Sequence, residues 1–126
     1  ITYGLERICM FIQQKQSVYD LDWNEEGVKY KDVFQQSERE FSKYNFEYAS
    51  IENLFQNFDM HEFEAKSLAE KNISLPAYDH CLKASHVFNI LDARGAISVA
   101  ERAEYIARIR NIVKLVAEVW IETQKN

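Results

Sequence analysis

Apolar residues recur at intervals of three and four along most of this chain, the spacing that places them on one face of an α-helix. The pattern predicts five helices, over residues 5–14, 32–44, 50–72, 74–94 and 98–123. Segment 17–31 differs, because residues 18–23 alternate loosely between apolar and polar and residues 24–27 carry a turn signal. A short strand followed by a loop is expected there.

Several of the predicted helix ends carry their own signals. Ser50 and Ser74 each stand where a serine can cap a helix, and the run Ser98–Glu101 fits the S-x-x-E capping box. Gly95 supplies a stop for the helix that begins at Ser74. The last helix has apolar residues on more than one face, which predicts a central position. If Trp120 is buried there, its replacement by alanine should cost about 3 to 5 kcal/mol.

The composition agrees with long helices packed around one core. The chain has 126 residues, 47% of them hydrophobic, with three Gly and one Pro, so it contains few residues that break helices. A chain of this length can bury a single core, and short connections favour antiparallel neighbours. The expected fold is therefore mainly α, an antiparallel helical bundle with a short strand at its N-terminus.

Charge and cysteine usage exclude several functional classes. The formal net charge is −5, whereas a dedicated nucleic-acid surface needs clustered Lys and Arg. Cys9 and Cys81 lie far apart within helical patterns and lack the paired spacing of a disulfide framework or a zinc site. Both are expected to be reduced core thiols of a cytosolic protein. No apolar run approaches the roughly 20 residues that a membrane span requires, so no membrane partner is expected.

The densest candidate chemistry lies in the first seven residues. Ile1–Tyr3 is β-prone, Gly4 breaks the strand, and an amphipathic helix bearing Arg7 follows directly. A guanidinium can stack on a purine ring while it donates hydrogen bonds to phosphate, and lysine cannot do both in that geometry. Glycine permits backbone to approach a ligand closely, and a helix start supplies donors to an anion.

This run resembles the third signature motif of a class II aminoacyl-tRNA synthetase. Two later segments, Tyr44–Ala49 and Leu91–Arg102, resemble the α subunit of the bacterial two-subunit glycyl-tRNA synthetase, and the resemblance extends over essentially the whole chain. It implies that the chain is the C-terminal portion of that subunit. Residues 1–16 would end the class II catalytic domain, residues 17–49 would form a connecting segment, and residues 50–126 would form a C-terminal helical domain.

The resemblance also implies site residues, substrates and partners. Arg7 corresponds to the motif arginine that contacts ATP, with Gly4 beside the same ligand, and Thr2 and Gly4 are expected at the glycine pocket. The complete cytoplasmic subunit would form glycyl-adenylate from glycine, ATP and Mg²⁺. It would then pass the glycyl group to tRNA(Gly) with the β subunit, in an α2β2 tetramer. Because the first two class II motifs are absent, the fragment alone is expected to be inactive.

A simpler alternative stands beside this interpretation. An arginine near a helix start is more often solvated or salt-bridged than bound to a nucleotide. The cations Arg108, Arg110 and Lys114 could contact tRNA or a partner subunit, although interleaved glutamates favour a solvated face. The helical part would then be an assembly or tRNA-contact module without a ligand site of its own. His80 and His86 are six residues apart, on different sides of a helix, and no metal site is expected.

Overall fold

The structure, a computed structural model, describes residues 3–125 and consists mainly of helices. The bounds of the α-helices are α1 Leu5–Ile12, α2 Tyr30–Lys43, α3 Ile51–Glu70, α4 Ser74–Ala93 and α5 Val99–Thr123. The expected helical fold is thus confirmed, with each helix within a few residues of its predicted range. The chain divides into two compact units, unit 1 up to Glu47 and unit 2 from Tyr48 onward.

The strand expected at the N-terminus falls on residues 1–3. Residues 1 and 2, including Thr2 of the expected glycine pocket, lie outside the described residues, and Tyr3 belongs to no strand. Within residues 3–125 the chain forms no β-sheet. Over the same range, none of the helices combines the length and the apolar composition that a bilayer crossing requires.

The strand expected within residues 18–23 is wrong. Val18–Asp20 forms one turn of 3₁₀-helix, and an isolated antiparallel bridge joins Asp22 to Lys29. The physical reason is local, because the Ser17 hydroxyl accepts a hydrogen bond from the Tyr19 N–H at 3.3 Å. Such a bond gives the backbone a turn as an alternative to an extended ladder.

Unit 1 is stabilised by hydrogen bonds of the Gln13 side chain and by contacts between aromatic rings. The Gln13 side-chain amide donates to the Asp22 carbonyl (3.0 Å) and accepts from the Asp22 N–H (2.7 Å), which ties the end of α1 to the loop before α2. The Phe34 ring lies 5.2 Å from the Trp23 ring and 4.8 Å from the Tyr30 ring, measured between centroids. Tilted and edge-on ring pairs of this kind add to the burial of the rings.

Unit 2 is a three-helix bundle in which α3, α4 and α5 surround one hydrophobic core. Phe58 and Leu91 are completely buried, and Ile112 is nearly so. Replacing a buried phenylalanine such as Phe58 with alanine costs about 3 to 5 kcal/mol. Many of the buried positions on α3 and α4 are small, which permits a close approach of helices: Ala65, Ala69, Ala77, Cys81 and Ala84.

Two of the predicted helix caps are confirmed. The Ser50 hydroxyl accepts a hydrogen bond from the Asn53 N–H at the start of α3 (3.3 Å). At the start of α5 the Ser98 hydroxyl accepts from the Glu101 N–H (3.3 Å), and the Glu101 carboxylate accepts from the Ser98 N–H (2.7 Å). This reciprocal pair satisfies two donors that the helix itself leaves unpaired.

The cap predicted at Ser74 is wrong, because Ser74 is the first residue of α4 and is buried. The chain turns at Asn72, whose φ of 60° is left-handed, and the Ile73 N–H returns to the Leu68 carbonyl at 2.9 Å. This backbone motif closes α3 and leaves Ile73, which cannot cap, at the entry to α4.

The burial predicted for two side chains is also wrong. Trp120 is 42% exposed, while the buried residues of α5 are Ile112 and Val116. The cost expected for loss of a buried Trp120 therefore does not apply. Cys9 is exposed rather than in a core, whereas Cys81 is buried as predicted, and burial raises the pKa of its thiol.

Candidate ligand site and cationic surface

A cleft of about 830 Å³ in unit 1 contains two of the expected site residues. Residues of α1 and its N-cap line the cleft together with residues of α2. The lining residues are Tyr3, Gly4, Glu6, Arg7, Ile8, Met10, Val18, Tyr30 and Glu38. The expected pair Gly4 and Arg7 therefore borders a space large enough for a small ligand.

Arg7 lies in the first turn of α1 and is exposed. Gly4 is the N-cap, and the first helical hydrogen bond runs from the Ile8 N–H to the Gly4 carbonyl at 3.1 Å. The N–H groups of Leu5, Glu6 and Arg7 precede that bond and have no acceptor within the helix. A permanent cation and the positive end of a helix dipole thus occur at the same end of α1, an arrangement suited to an anion.

Gly4 is not required by the backbone of unit 1. Its φ of −74° is open to any residue, and a Cβ placed there would meet the Arg7 Cβ at 3.8 Å, an ordinary contact. A requirement for glycine at this position would have to come from a ligand that approaches the backbone. The role of Gly4 in a ligand pocket stays a prediction.

The Glu38 carboxylate of α2 lines the cleft and has two tyrosine donors. Glu38 accepts hydrogen bonds from the Tyr19 hydroxyl (2.8 Å) and the Tyr30 hydroxyl (3.3 Å). The bond to Glu38 raises the pKa of Tyr19, and burial, followed by the charges of Glu38 and Glu6, raises the pKa of Tyr30. Both phenols therefore stay protonated donors at neutral pH. Sequence analysis missed this group, because Tyr19 lies in a segment for which a strand was predicted.

The charged side chains that line the cleft do not by themselves favour the binding of a triphosphate. Among the described lining residues, Arg7 supplies one cation while Glu6 and Glu38 supply two carboxylates. Within residues 3–125 no three His, Cys, Asp or Glu side chains converge as a metal site would require. The described residues of the cleft therefore do not fit a resident metal ion.

Arg108, expected on a partner or tRNA surface, lies partly buried against α3. Its guanidinium donates to Glu62 through Nε at 2.9 Å and to Asp59 at 2.6 Å. The guanidinium carbon lies 4.6 Å from the centroid of the Phe58 ring and 5.1 Å from that of Tyr105. Burial opposes the charge, but the bonds to the two carboxylates raise the pKa of Arg108. The group joins α5 to α3 within unit 2, and its role on a partner or tRNA surface stays a prediction.

The other two cations of that surface remain at the exterior. Arg110 is exposed, and Lys114 is 77% exposed with its ammonium 3.8 Å from the Glu118 carboxylate. An exposed pair at this distance contributes little to stability. Arg110 and Lys114 are therefore the more exposed members of the predicted cationic surface.

A shallow apolar groove of about 250 Å³ runs between α4 and α5. Its lining residues are Ser74, Leu75, Tyr78, Val113, Val116, Ala117 and Trp120. Leu75 is 65% exposed and Tyr78 is 47% exposed. Because Arg110 precedes Val113 by three residues, it lies near the same face of α5. The half-exposed Trp120 thus belongs to an apolar surface with a cation nearby.

Almost the whole chain matches the model of a known protein family. Residues 1–125 match the family described as "Glycyl-tRNA synthetase alpha subunit". The matched range contains the cleft of unit 1 and every helix of unit 2. The family agrees with the resemblance that rested on Arg7 and on segments 44–49 and 91–102.

Proposed function

Because this chain belongs to the family of glycyl-tRNA synthetase alpha subunits, we propose that it is the C-terminal portion of the subunit that activates glycine. In this proposal the complete class II catalytic subunit joins glycine to ATP, which yields glycyl-adenylate and pyrophosphate. The glycyl group then passes to tRNA(Gly) in a cytoplasmic α2β2 complex with the β subunit.

The observation that carries the proposal is the position of Arg7. It stands in the first turn of α1, exposed beside a cleft, with the donors of a helix start next to it. When the glycine carboxylate attacks the α-phosphorus, negative charge develops on the phosphates and on the departing pyrophosphate. A fixed guanidinium stabilises that charge without reorganisation, and its plane can stack on adenine.

The other site assignments rest on the resemblance to the family. Gly4 would let the nucleotide or the glycine substrate approach the backbone at the start of α1, and Thr2 would line the glycine end of the pocket. Mg²⁺ would neutralise part of the phosphate charge as a partner of ATP. Glu6 and Glu38 oppose a bare triphosphate, so further cations would have to come from residues outside the described cleft. For this reason the fragment alone is predicted to be inactive.

Equilibrium binding of ATP to the complete subunit tests the assignment of Arg7. Hydrogen bonds to charged groups are worth about 1.5 to 3 kcal/mol, so Arg7→Ala should weaken ATP binding roughly 10- to 100-fold. Arg7→Lys should recover only part of that loss, because an ammonium neither stacks nor donates in a planar fork. Arg39→Ala, which removes an exposed arginine of α2, is the matched control. Unchanged ATP affinity in Arg7→Ala would refute the assignment.

A second candidate function is supported by the groove between α4 and α5. Leu75, Tyr78 and Trp120 expose apolar surface there, and aromatic residues are enriched at the centres of protein interfaces. The helical unit would then serve assembly, either with the β subunit or with a second α subunit, with Arg110 and Lys114 at the rim or on tRNA.

Sedimentation of the reconstituted α and β subunits separates the two functions. Trp120→Ser, Arg110→Glu and Lys114→Glu should weaken the complex while leaving ATP binding intact, if the groove and its rim form an interface. Arg108 is left unchanged in these variants, because its loss would destabilise the bundle. If complexes of all three variants sediment like the wild-type complex, the groove and its rim are not an assembly interface.

A further inference from the structure

Two histidines that are distant in sequence meet between α3 and α4. His61 lies on α3 and His80 on α4, and their Nδ1 atoms are 3.0 Å apart. The ring centroids are 5.2 Å apart with an angle of 53° between the planes. Both side chains are half-buried. The helical spacing of apolar residues could not predict this contact, because the two histidines are 19 residues apart on different helices.

The geometry permits one proton between the two Nδ1 atoms. A neutral imidazole has one N–H donor and one bare nitrogen acceptor, so one ring donates through Nδ1 and the other accepts through Nδ1. If both rings become imidazolium, both nitrogens are donors and the hydrogen bond is lost. Two positive rings would then face each other at the same distance, in a partly desolvated place.

The surroundings do not compensate for a second positive charge. Burial, the His80 ring and the Lys83 ammonium lower the pKa of His61, whereas the Asp79 carboxylate raises it more weakly. Asp79 is itself paired with Lys83 at 2.8 Å. On α5 the cation that reaches α3 is Arg108, and its guanidinium bonds to Asp59 and Glu62.

A metal ion between these rings is not favoured by the same residues. Structural zinc sites use four protein ligands, and catalytic sites use three. Over residues 3–125 no group of three or more potential ligands assembles, at this place or elsewhere. The pair is therefore better described by the proton that it shares.

We propose that His61 and His80 form a one-proton clasp between α3 and α4, which opens when both rings are protonated and thereby loosens the bundle of unit 2 in mild acid. The inference is independent of the function proposed for unit 1. Because His61 binds its proton less readily in the folded chain than in the unfolded one, the stabilisation is complete at high pH. It is lost as the pH falls below the ordinary histidine value of 6.5.

Nuclear magnetic resonance of the 126-residue chain tests the clasp without a substitution. The chain contains three histidines, and the exposed His86 serves as an internal reference. Long-range correlation of ring protons with ring nitrogens above pH 7.5 should show one of His61 and His80 protonated at Nδ1 and the other bare there. If both rings carry their proton only at Nε2, no shared proton exists and the clasp is refuted.

Stability as a function of pH provides the second test. The urea midpoint of the wild-type chain should fall between pH 7.5 and 5.5, and His80→Asn should reduce that fall because it removes the repulsion between two charged rings. His86→Asn is the matched control and should keep the wild-type fall. An equal fall in wild type and His80→Asn would overturn the proposal. If His80→Asn fails to fold, His61→Gln offers the same comparison.

Discussion

At the scale of single residues, Arg108 shows how a partly buried cation joins two helices of unit 2. Its guanidinium lies over the Phe58 and Tyr105 rings, and its charge is matched by Asp59 and Glu62. The Glu62 side chain is only 12% exposed. A carboxylate this well buried needs its partner, because an uncompensated buried charge is costly.

Arg108→Met should therefore destabilise the chain. It keeps most of the volume over the two rings but leaves the Glu62 carboxylate with Lys66, which bonds to it at 2.8 Å. Breaking a buried pair costs about 3 to 5 kcal/mol, and because Arg108 is partly exposed we expect a smaller loss, about 2 to 3 kcal/mol in the free energy of unfolding. Urea denaturation followed by circular dichroism measures it.

Arg110→Met is the control for that loss. It makes the same substitution two residues later at an exposed position of α5, where changes are usually within about 0.5 kcal/mol. Equal unfolding midpoints for the two variants would show that the contacts of Arg108 with α3 do not stabilise the bundle.

At the scale of elements, the ends of helices were predictable where the signal is local. The capping box of α5 and the stop at Gly95 depend on neighbouring residues alone. At Gly95 the φ is 65°, its N–H bonds to the Asp92 carbonyl at 3.0 Å, and the Ala96 N–H bonds to the Leu91 carbonyl at 3.0 Å. This closure of α4 needs a left-handed residue, which glycine adopts without strain.

Gly95→Ala and Gly4→Ala form a matched pair of element-scale variants. The first forces alanine into the left-handed region and should cost about 1 kcal/mol or somewhat more in the free energy of unfolding. The second has φ −74° and room for a Cβ, so it should cost only about 0.5 kcal/mol, from the weaker N-cap preference of alanine. Thermal unfolding of both chains compares them directly. A Gly4→Ala chain that lost more stability than Gly95→Ala would contradict this view of the two helix ends.

What could not be predicted from the sequence depends on contacts between elements. Ser74 was predicted to cap α4. Because the backbone closes α3 at Asn72, Ile73 becomes the N-cap and Ser74 the first residue of α4. Trp120 was expected inside because α5 is apolar on several faces, yet one of those faces borders a groove. The meeting of His61 with His80 is likewise a consequence of how α3 and α4 pack.

At the scale of the whole molecule, the two units differ in how their helices are buried. The core cluster of unit 2 draws on all three of its helices, whereas neither α1 nor α2 contains a buried residue. On α1, Leu5, Ile8 and Ile12 of the predicted apolar face are 73%, 41% and 71% exposed. The apolar face predicted for α1 is therefore present but uncovered, and unit 1 has less apolar burial to stabilise it.

Hydrogen exchange of the 126-residue chain should reproduce that difference. Amides of α4, the helix with the most buried side chains, should exchange most slowly, and amides of α1 should exchange much faster because little burial opposes local opening. The measurement is mass spectrometry of peptides from each helix after a time series in deuterated water. Protection of α1 equal to that of α4 would contradict the assigned difference in burial.

The central claim is that Arg7 belongs to the ATP site of a glycine-activating subunit, and one measurement tests it most directly. It is glycine-dependent exchange of pyrophosphate into ATP by the complete subunit, comparing wild type, Arg7→Ala and the control Arg39→Ala, with folding verified by circular dichroism. We predict that folded Arg7→Ala loses exchange by at least about 100-fold, as removal of a single transition-state donor does in other enzymes, while Arg39→Ala keeps it. Undiminished exchange by Arg7→Ala would contradict the account and leave the chain as a helical assembly module.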